Sequence, residues 1–83
     1  MTYHVTFTAP AVNEMRKLGS EAKKRIYYTV IEKLSKNPKD YPQMQGKFKG
    51  LRKLRVGDYR VLFAVIETEV RIARVEHRSK IYD

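Results

Sequence analysis

From the N-terminus, Tyr3, Val5 and Phe7 alternate with Thr2, His4, Thr6 and Thr8. A period of two, carried by β-branched and aromatic residues, predicts a strand with one buried face. The period then changes. Thr8-Ala9-Pro10 reads as a helix start, with Thr8 as N-cap and Pro10 in the first turn, where a missing N–H is tolerated. Val12, Met15 and Leu18 share one face, and Gly19 ends the segment. A second helix is expected with Ser20 as its N-cap and Glu21 near its positive end. Ala22, Ile26 and Val30 recur every four residues, Tyr27, Ile31 and Leu34 lie beside them, and Asn37-Pro38 stops the helix. So short a joint predicts an antiparallel helical hairpin.

Residues 37–50, rich in Pro and Gly, show no period and read as a loop long enough to have a function. Lys47 and Lys49 make it basic, and Gly46 and Gly50 suit turns. The stretch from Leu51 to Phe63 reads as two strands joined at Gly57-Asp58, a pair that supplies the backbone freedom of a tight turn. Residues 61–66, VLFAVI, are apolar on both faces, which predicts a central strand. Glu67-Thr68-Glu69 turns the chain into a last strand from Val70 to Val75. The order is β-α-α-β-β-β, an α+β fold in which a helical hairpin packs on a mainly antiparallel sheet. Residues 1–83 are expected to form a single domain. Tyr27, Tyr28 and Tyr41 look structural.

The hydrophobic share of 42% suffices for a compact core, and a net charge of +9, from 18 Lys and Arg against 9 Asp and Glu, favours nucleic acid or an acidic protein partner. Without cysteine, disulfides and thiolate metal sites are excluded, and a reducing cytoplasm is the fitting location. No apolar run approaches the roughly 20 residues of a membrane helix, and the N-terminus lacks a signal-peptide pattern. The two histidines lie far apart and the acids are scattered, so no metal-ligand spacing arises. Nor is there a Gly-rich phosphate cradle. No cofactor is expected.

Placement sharpens the charge argument. Alternation sets Leu51, Lys53 and Arg55 on one face of their strand and Arg52, Leu54 and Val56 on the other, where Leu54 and Val56 read as core. In an antiparallel hairpin Arg60 falls within one or two residue pairs of Arg55. Lys53, Arg55 and Arg60 thus converge on one sheet face as a site for an anion. Glu67, Glu69 and Glu76 are the carboxylates available to pair with them. His4 reads as an exposed strand residue. His77, beside Arg78 and within reach of the cationic face, is a candidate general acid or base, or a positioning residue. Tyr82 is a candidate catalytic or stacking residue, or an anchor for the C-terminus.

Taken together, Lys53-Leu54-Arg55-Val56-Gly57-Asp58-Tyr59-Arg60-Val61-Leu62-Phe63, the tail His77-Arg78-Ser79-Lys80-Ile81-Tyr82 and Arg16-Lys17-Leu18-Gly19 closing the first helix resemble the RelE branch of the RelE/ParE toxin superfamily. The resemblance covers essentially the whole chain. It implies a fold similar to small microbial ribonucleases and a toxin of a type II toxin–antitoxin system. The implied activity is ribosome-dependent cleavage of mRNA in the A site by 2′-hydroxyl attack, silenced in a hetero-oligomer with a cognate antitoxin. By position, Lys53 and Arg60 match the family's central catalytic cations, Arg55 a basic residue on the same strand, Arg78 a tail arginine and Tyr82 the C-terminal tyrosine. Leu51 stands where some members carry another catalytic lysine. Glu76 stands near where some carry a catalytic arginine, with Arg78 or Arg74 as substitutes, and His77 is the alternative that several relatives use. The ParE branch, which poisons DNA gyrase by binding, shares the fold and supplies the alternative function.

Overall fold

In a computed structural model that describes residues 2–80, the alternating segment forms strand β1 (His4–Phe7) and the two helical segments form α1 (Ala9–Arg16) and α2 (Ser20–Leu34). The hairpin and last strand follow as β2 (Arg52–Val56), β3 (Tyr59–Ile66) and β4 (Glu69–His77). The sheet order is β1-β4-β3-β2, with β1 parallel to β4 and the other pairs antiparallel. The expected element order and the mainly antiparallel sheet are both present, and β3 is an interior strand.

Thr8 caps α1 as its hydroxyl chemistry predicts: Oγ1 accepts from the Ala11 N–H at 3.3 Å. The same hydroxyl donates to the Ala73 carbonyl at 3.1 Å, and the Thr8 N–H donates to the Ile72 carbonyl at 3.0 Å. One residue therefore starts a helix and ties it to β4. The second cap differs from expectation. Gly19, extended at φ −65° and ψ 162°, is the N-cap of α2, and Ser20 is its first helical residue. α1 closes at its C-cap Lys17, so Lys17, Leu18 and Gly19 alone join the two helices.

Both helices lie on one face of the sheet. Ala11 and Met15 of α1 and Ile26, Val30 and Leu34 of α2 pack with Leu54, Val56, Val61, Phe63, Val70, Ile72 and Val75. The rows on α2 and β3 are those that hydrophobic periodicity marks for burial, whereas on α1 Ala11 joins Met15 in the core and Val12 and Leu18 are half-buried. Tyr41 joins the core edge-on to Phe63, at 6.2 Å between ring centroids. Tyr27 and Tyr28 stand outside it, 46% and 67% exposed, with Tyr27 stacked on Phe7 at 6.4 Å between ring centroids. At β1, Glu69 accepts from Arg71 at 3.0 Å and from Thr6 Oγ1 at 2.7 Å. The bond from Arg71, then that from Thr6, holds its carboxyl below the usual range.

Residues 37–50 are more ordered than their lack of period suggests. They contain two 3-10 turns, Pro38–Asp40 and Gly46–Phe48, and run antiparallel to the start of β2. The Lys53 N–H donates to the Pro42 carbonyl at 3.0 Å and the Met44 N–H to the Leu51 carbonyl at 2.8 Å. Arg52, facing away from Lys53 and Arg55 as alternation requires, donates Nη1 to the carbonyls of Lys39 and Tyr41 at 3.2 and 2.7 Å. A long segment with no hydrophobic period is thus held by backbone pairing and one guanidinium.

β4 carries one residue more than its partner. Leu62 pairs with Arg74 and Phe63 with Ile72, which leaves Ala73 as a bulge. Val70 and Ile72 face the helices before it, and Val75 does so after it. The extra residue reverses the alternation, so Arg74 and Glu76 emerge on the face opposite the helices. Past the end of β1 the Val75 N–H donates to Glu14 Oε1 at 2.6 Å, which satisfies a strand edge from α1.

At the β2–β3 turn Gly57 has φ +59°, a region that L side chains rarely occupy, and an added Cβ would sit 3.1 Å from Arg25 Nη1. Gly57→Val is expected to cost about 2 kcal/mol, from the left-handed backbone and from displacement of Arg25. Urea unfolding should show a lower midpoint at an unchanged slope.

Candidate functional site

The register of the hairpin places Arg55 directly opposite Arg60 and Lys53 opposite Leu62, all on the face away from the helices. Leu62 is fully buried there, outside the helix-side core, and forms an apolar floor between charged neighbours. Residues of the Gly46–Phe48 turn close over the same face: the Arg60 guanidinium carbon lies 5.6 Å from the Phe48 ring centroid, within cation–π range. The tail completes the cluster. The Arg78 N–H donates to the Asp58 carbonyl at 2.7 Å, and its guanidinium lies 3.8 Å from Asp58 Oδ1. Two backbone turns, Gly57-Asp58 and Arg78–Lys80, therefore hold each other.

Between them opens a pocket of about 130 Å³ lined by Arg55, Tyr59, Arg60 and Arg78. Three guanidiniums around one opening match the oxygens of a phosphate or carboxylate. The charge is partly offset. Arg60 Nε donates to Glu76 Oε1 at 2.9 Å, with both side chains more than four-fifths buried. Arg74 Nη2 reaches Glu76 Oε2 at 3.4 Å and Glu14 Oε2 at 2.8 Å. The hydrogen bonds from Arg74 to Glu14 hold that guanidinium above its already high ordinary value, so it stays charged. The cations on this face are thus partly paired, and of the three carboxylates that the sequence offered as partners Glu76 is the one that meets Arg60.

Of the residues the sequence singled out, Lys53, Arg55, Arg60 and Arg78 share this region. His77 does not face it. An unbroken alternation through β4 would carry His77 to the cationic face; the bulge at Ala73 turns it to the helix side. There its ring stands edge-on to Tyr59 at 4.9 Å and lines a pocket of about 330 Å³ with Glu14, Lys17 and Leu18. Nδ1 accepts from the Ser79 N–H at 3.0 Å and lies 2.7 Å from Ser79 Oγ, which leaves the proton of the neutral ring on Nε2. Tyr82 lies outside the described residues.

Sequence reasoning missed Tyr59, Phe48, Arg25 and Glu14. Tyr59 precedes Arg60 and is the one that adjacency alone could have found. Phe48 sat in a stretch without period, and Arg25 and Glu14 belong to helices that only tertiary packing brings to the hairpin tip and to β4. Among the described residues, no group of three His, Asp or Glu side chains stands close enough to hold a metal ion.

Comparison with known proteins bears on the family. No curated protein matches the sequence. A chain of the toxin–antitoxin complex RelBE2 from Mycobacterium tuberculosis superposes with a TM-score of 0.86 at 28% identity, covering 94% of this chain and 100% of that one. A chain of the ParDE system of P. aeruginosa does so at 0.72 and 18% identity, covering 92% and 96%. One from the E. coli RelBE complex matches at 0.72 and 23%, covering 90% and 95%. At those identities the last two speak for the fold alone. The sequence profile described as the ParE toxin of a type II toxin–antitoxin system matches residues 5–82. With that match over nearly its whole length and the fold it shares with RelE toxins, this chain belongs to the RelE/ParE superfamily of type II toxin–antitoxin toxins.

Proposed function

We propose that this toxin is an endoribonuclease that cleaves mRNA in the ribosomal A site, without a metal, by attack of the RNA's own 2′-hydroxyl on the adjacent phosphate. One observation carries the reading: Arg55, Arg60 and Arg78 converge around Tyr59 on a single small pocket, with Lys53 on the same face. The reaction forms a 2′,3′-cyclic phosphate and releases a 5′-hydroxyl. It needs a proton removed from the 2′-oxygen, stabilisation of the charge gathering on phosphorus, and a proton for the leaving oxygen. Arg60 and Arg78 suit the second task, because guanidinium forks match phosphate oxygens. Lys53, with Arg55 nearby, adds to the positive potential. Tyr82 is the tail's candidate for the leaving-group proton or for stacking on a base. Of the two roles open to His77, positioning is the one that its bond to Ser79 supports, since that bond shapes the turn presenting Arg78.

A cognate antitoxin belongs to this reading, as do the cytoplasm and the ribosome. The relatives RelBE2, RelBE and ParDE are toxin–antitoxin systems. A surface of net charge +9 attracts an acidic partner segment that folds as it binds. The second reading, a toxin that inhibits DNA gyrase by binding alone, draws on the ParE profile and on Glu76, which offsets the charge of Arg60.

Induced alone, the toxin is expected to stop protein synthesis first, with mRNA cut in the A site; DNA synthesis failing first over intact mRNA would favour the gyrase reading. Cleavage of ribosome-bound mRNA in a chelator, under conditions that keep ribosomes intact, should leave 2′,3′-cyclic phosphate ends. Activity that vanishes and returns with magnesium would count against metal independence. Arg60→Ala should remain folded, because Glu76 keeps Arg74 as a partner. It should lose about 2.7–4 kcal/mol of transition-state stabilisation, roughly a hundred- to thousandfold in rate. A folded variant cleaving at the wild-type rate would remove this face as the active site.

A further inference from the structure

We propose that Glu76 is a positioning residue for Arg60: it occupies the Nε edge of the guanidinium and thereby turns the two Nη nitrogens toward the pocket. The proposal rests on the reading of that pocket as a phosphate site. By the resemblance, Glu76 also stands near where some members of the superfamily carry a catalytic arginine. A carboxylate in that place reads at first as a loss. The geometry gives it a use.

Arg60 and Glu76 are register partners on adjacent strands, and their bond runs from Nε to Oε1 at 2.9 Å. A guanidinium bound through Nε shares that edge with one neighbouring Nη N–H and has its three other Nη donors on its end and far edge. Among the described residues neither Nη nitrogen has a hydrogen-bond partner, and Arg60 lines the pocket. Phe48 stands beside the guanidinium and restricts its rotation. Arg60 is thus held along one edge and bounded by a ring, with its other edge lining the pocket beside Arg55 and Arg78.

Glu76 is itself held. Its second oxygen lies 3.4 Å from Arg74 Nη2. Arg74 donates Nε and Nη2 to Glu14 Oε2 at 3.0 and 2.8 Å, and Glu14 is pinned by the Val75 N–H on its other oxygen. The series Glu14–Arg74–Glu76–Arg60 alternates in sign and runs from α1 across β4 to β3. Each member fixes the rotamer of the next, so the ordering of a long arginine side chain is completed on folding rather than on binding. The bulge at Ala73 is what brings Arg74 and Glu76 to this face.

Two effects of opposite sign follow. The carboxylate lowers the local potential and weakens binding of any polyanion. It also fixes the donor edge that a transition state needs. Removing it should therefore tighten binding and slow turnover, a split that a purely structural role would not produce.

The test uses full-length toxin with ¹⁵N-labelled arginine, titrated with inorganic phosphate. In the wild type the Arg60 Nε–H signal should exchange slowly and stay unmoved, while its Nη signals shift. Glu76→Ala should speed Nε–H exchange and bind a non-cleavable 2′-O-methyl RNA trinucleotide more tightly than wild type. Its cleavage of ribosome-bound mRNA should fall on the order of a hundredfold, as expected for a misplaced catalytic group. Glu76→Gln keeps an acceptor at the same place and should restore cleavage to within about tenfold of wild type. Phosphate that shifts the wild-type Nε–H signal, and so displaces Glu76, would overturn the proposal. So would a folded Glu76→Ala with wild-type turnover. If the wild type cleaves no mRNA, the nuclease reading fails, and the phosphate titration alone decides the role of Glu76. If Glu76→Ala does not fold, that titration and Glu76→Gln decide it.

Discussion

The pairing of β3 with β4 governs the rest of the molecule, and within it the bulge at Ala73. Up to Ile72 the strand turns its apolar residues to the helices in strict alternation. Ala73 breaks the count, and Thr8 Oγ1 donates to the carbonyl of that same residue. Beyond it Val75 returns to the core, while Arg74 and Glu76 face the other way. A strand without the bulge would bury two charged side chains under α1 and leave Arg60 without a carboxylate opposite. The desolvation cost of burying unpaired charge makes such an arrangement untenable.

Charge on the open face is arranged accordingly. The face is basic, yet its most enclosed arginine is paired, and the pair belongs to a series that starts on α1. Like-signed groups crowded on adjacent strands repel. Interposed carboxylates relieve this and orient the guanidiniums of Arg60 and Arg74. The least offset cations, Arg55 and Lys53, stand on β2, the edge strand, next to a tail turn that is fastened to the hairpin through Asp58. A face of this kind combines a prepared donor edge with cations that can adapt to the path of a polyanion.

Shared by toxins described as RelE and as ParE, the fold does not choose between chemistry and binding. Gly57 permits the tight turn that lets Asp58 meet Arg78, and Arg25 of α2 lies against that same glycine. Helix, hairpin and tail therefore meet at one place, and small changes there alter the local charge without disturbing the core.

The sequence by itself determined the elements, their order and the rows that form the core. Hydrophobic period is a local property, and Val5, Ile26, Val30, Leu54 and Val61 each obey it. It also placed Lys53, Arg55 and Arg60 together, because a two-residue turn leaves no other register. The Gly19 cap, the order within 37–50, the exposure of Tyr27 and Tyr28, the side taken by His77 and the partner of Arg60 were decided only by tertiary structure. The bulge, the order within 37–50 and the partner of Arg60 depend on groups distant along the chain: Thr8 on Ala73, Arg52 on Lys39 and Tyr41, Glu14 on Arg74. The bulge accounts for the misplacement of His77, since one inserted residue flips every later side chain and leaves no mark in the composition of the strand. Pairing across 16 residues, as between Arg60 and Glu76, is a fact of register, and register is settled when strands meet.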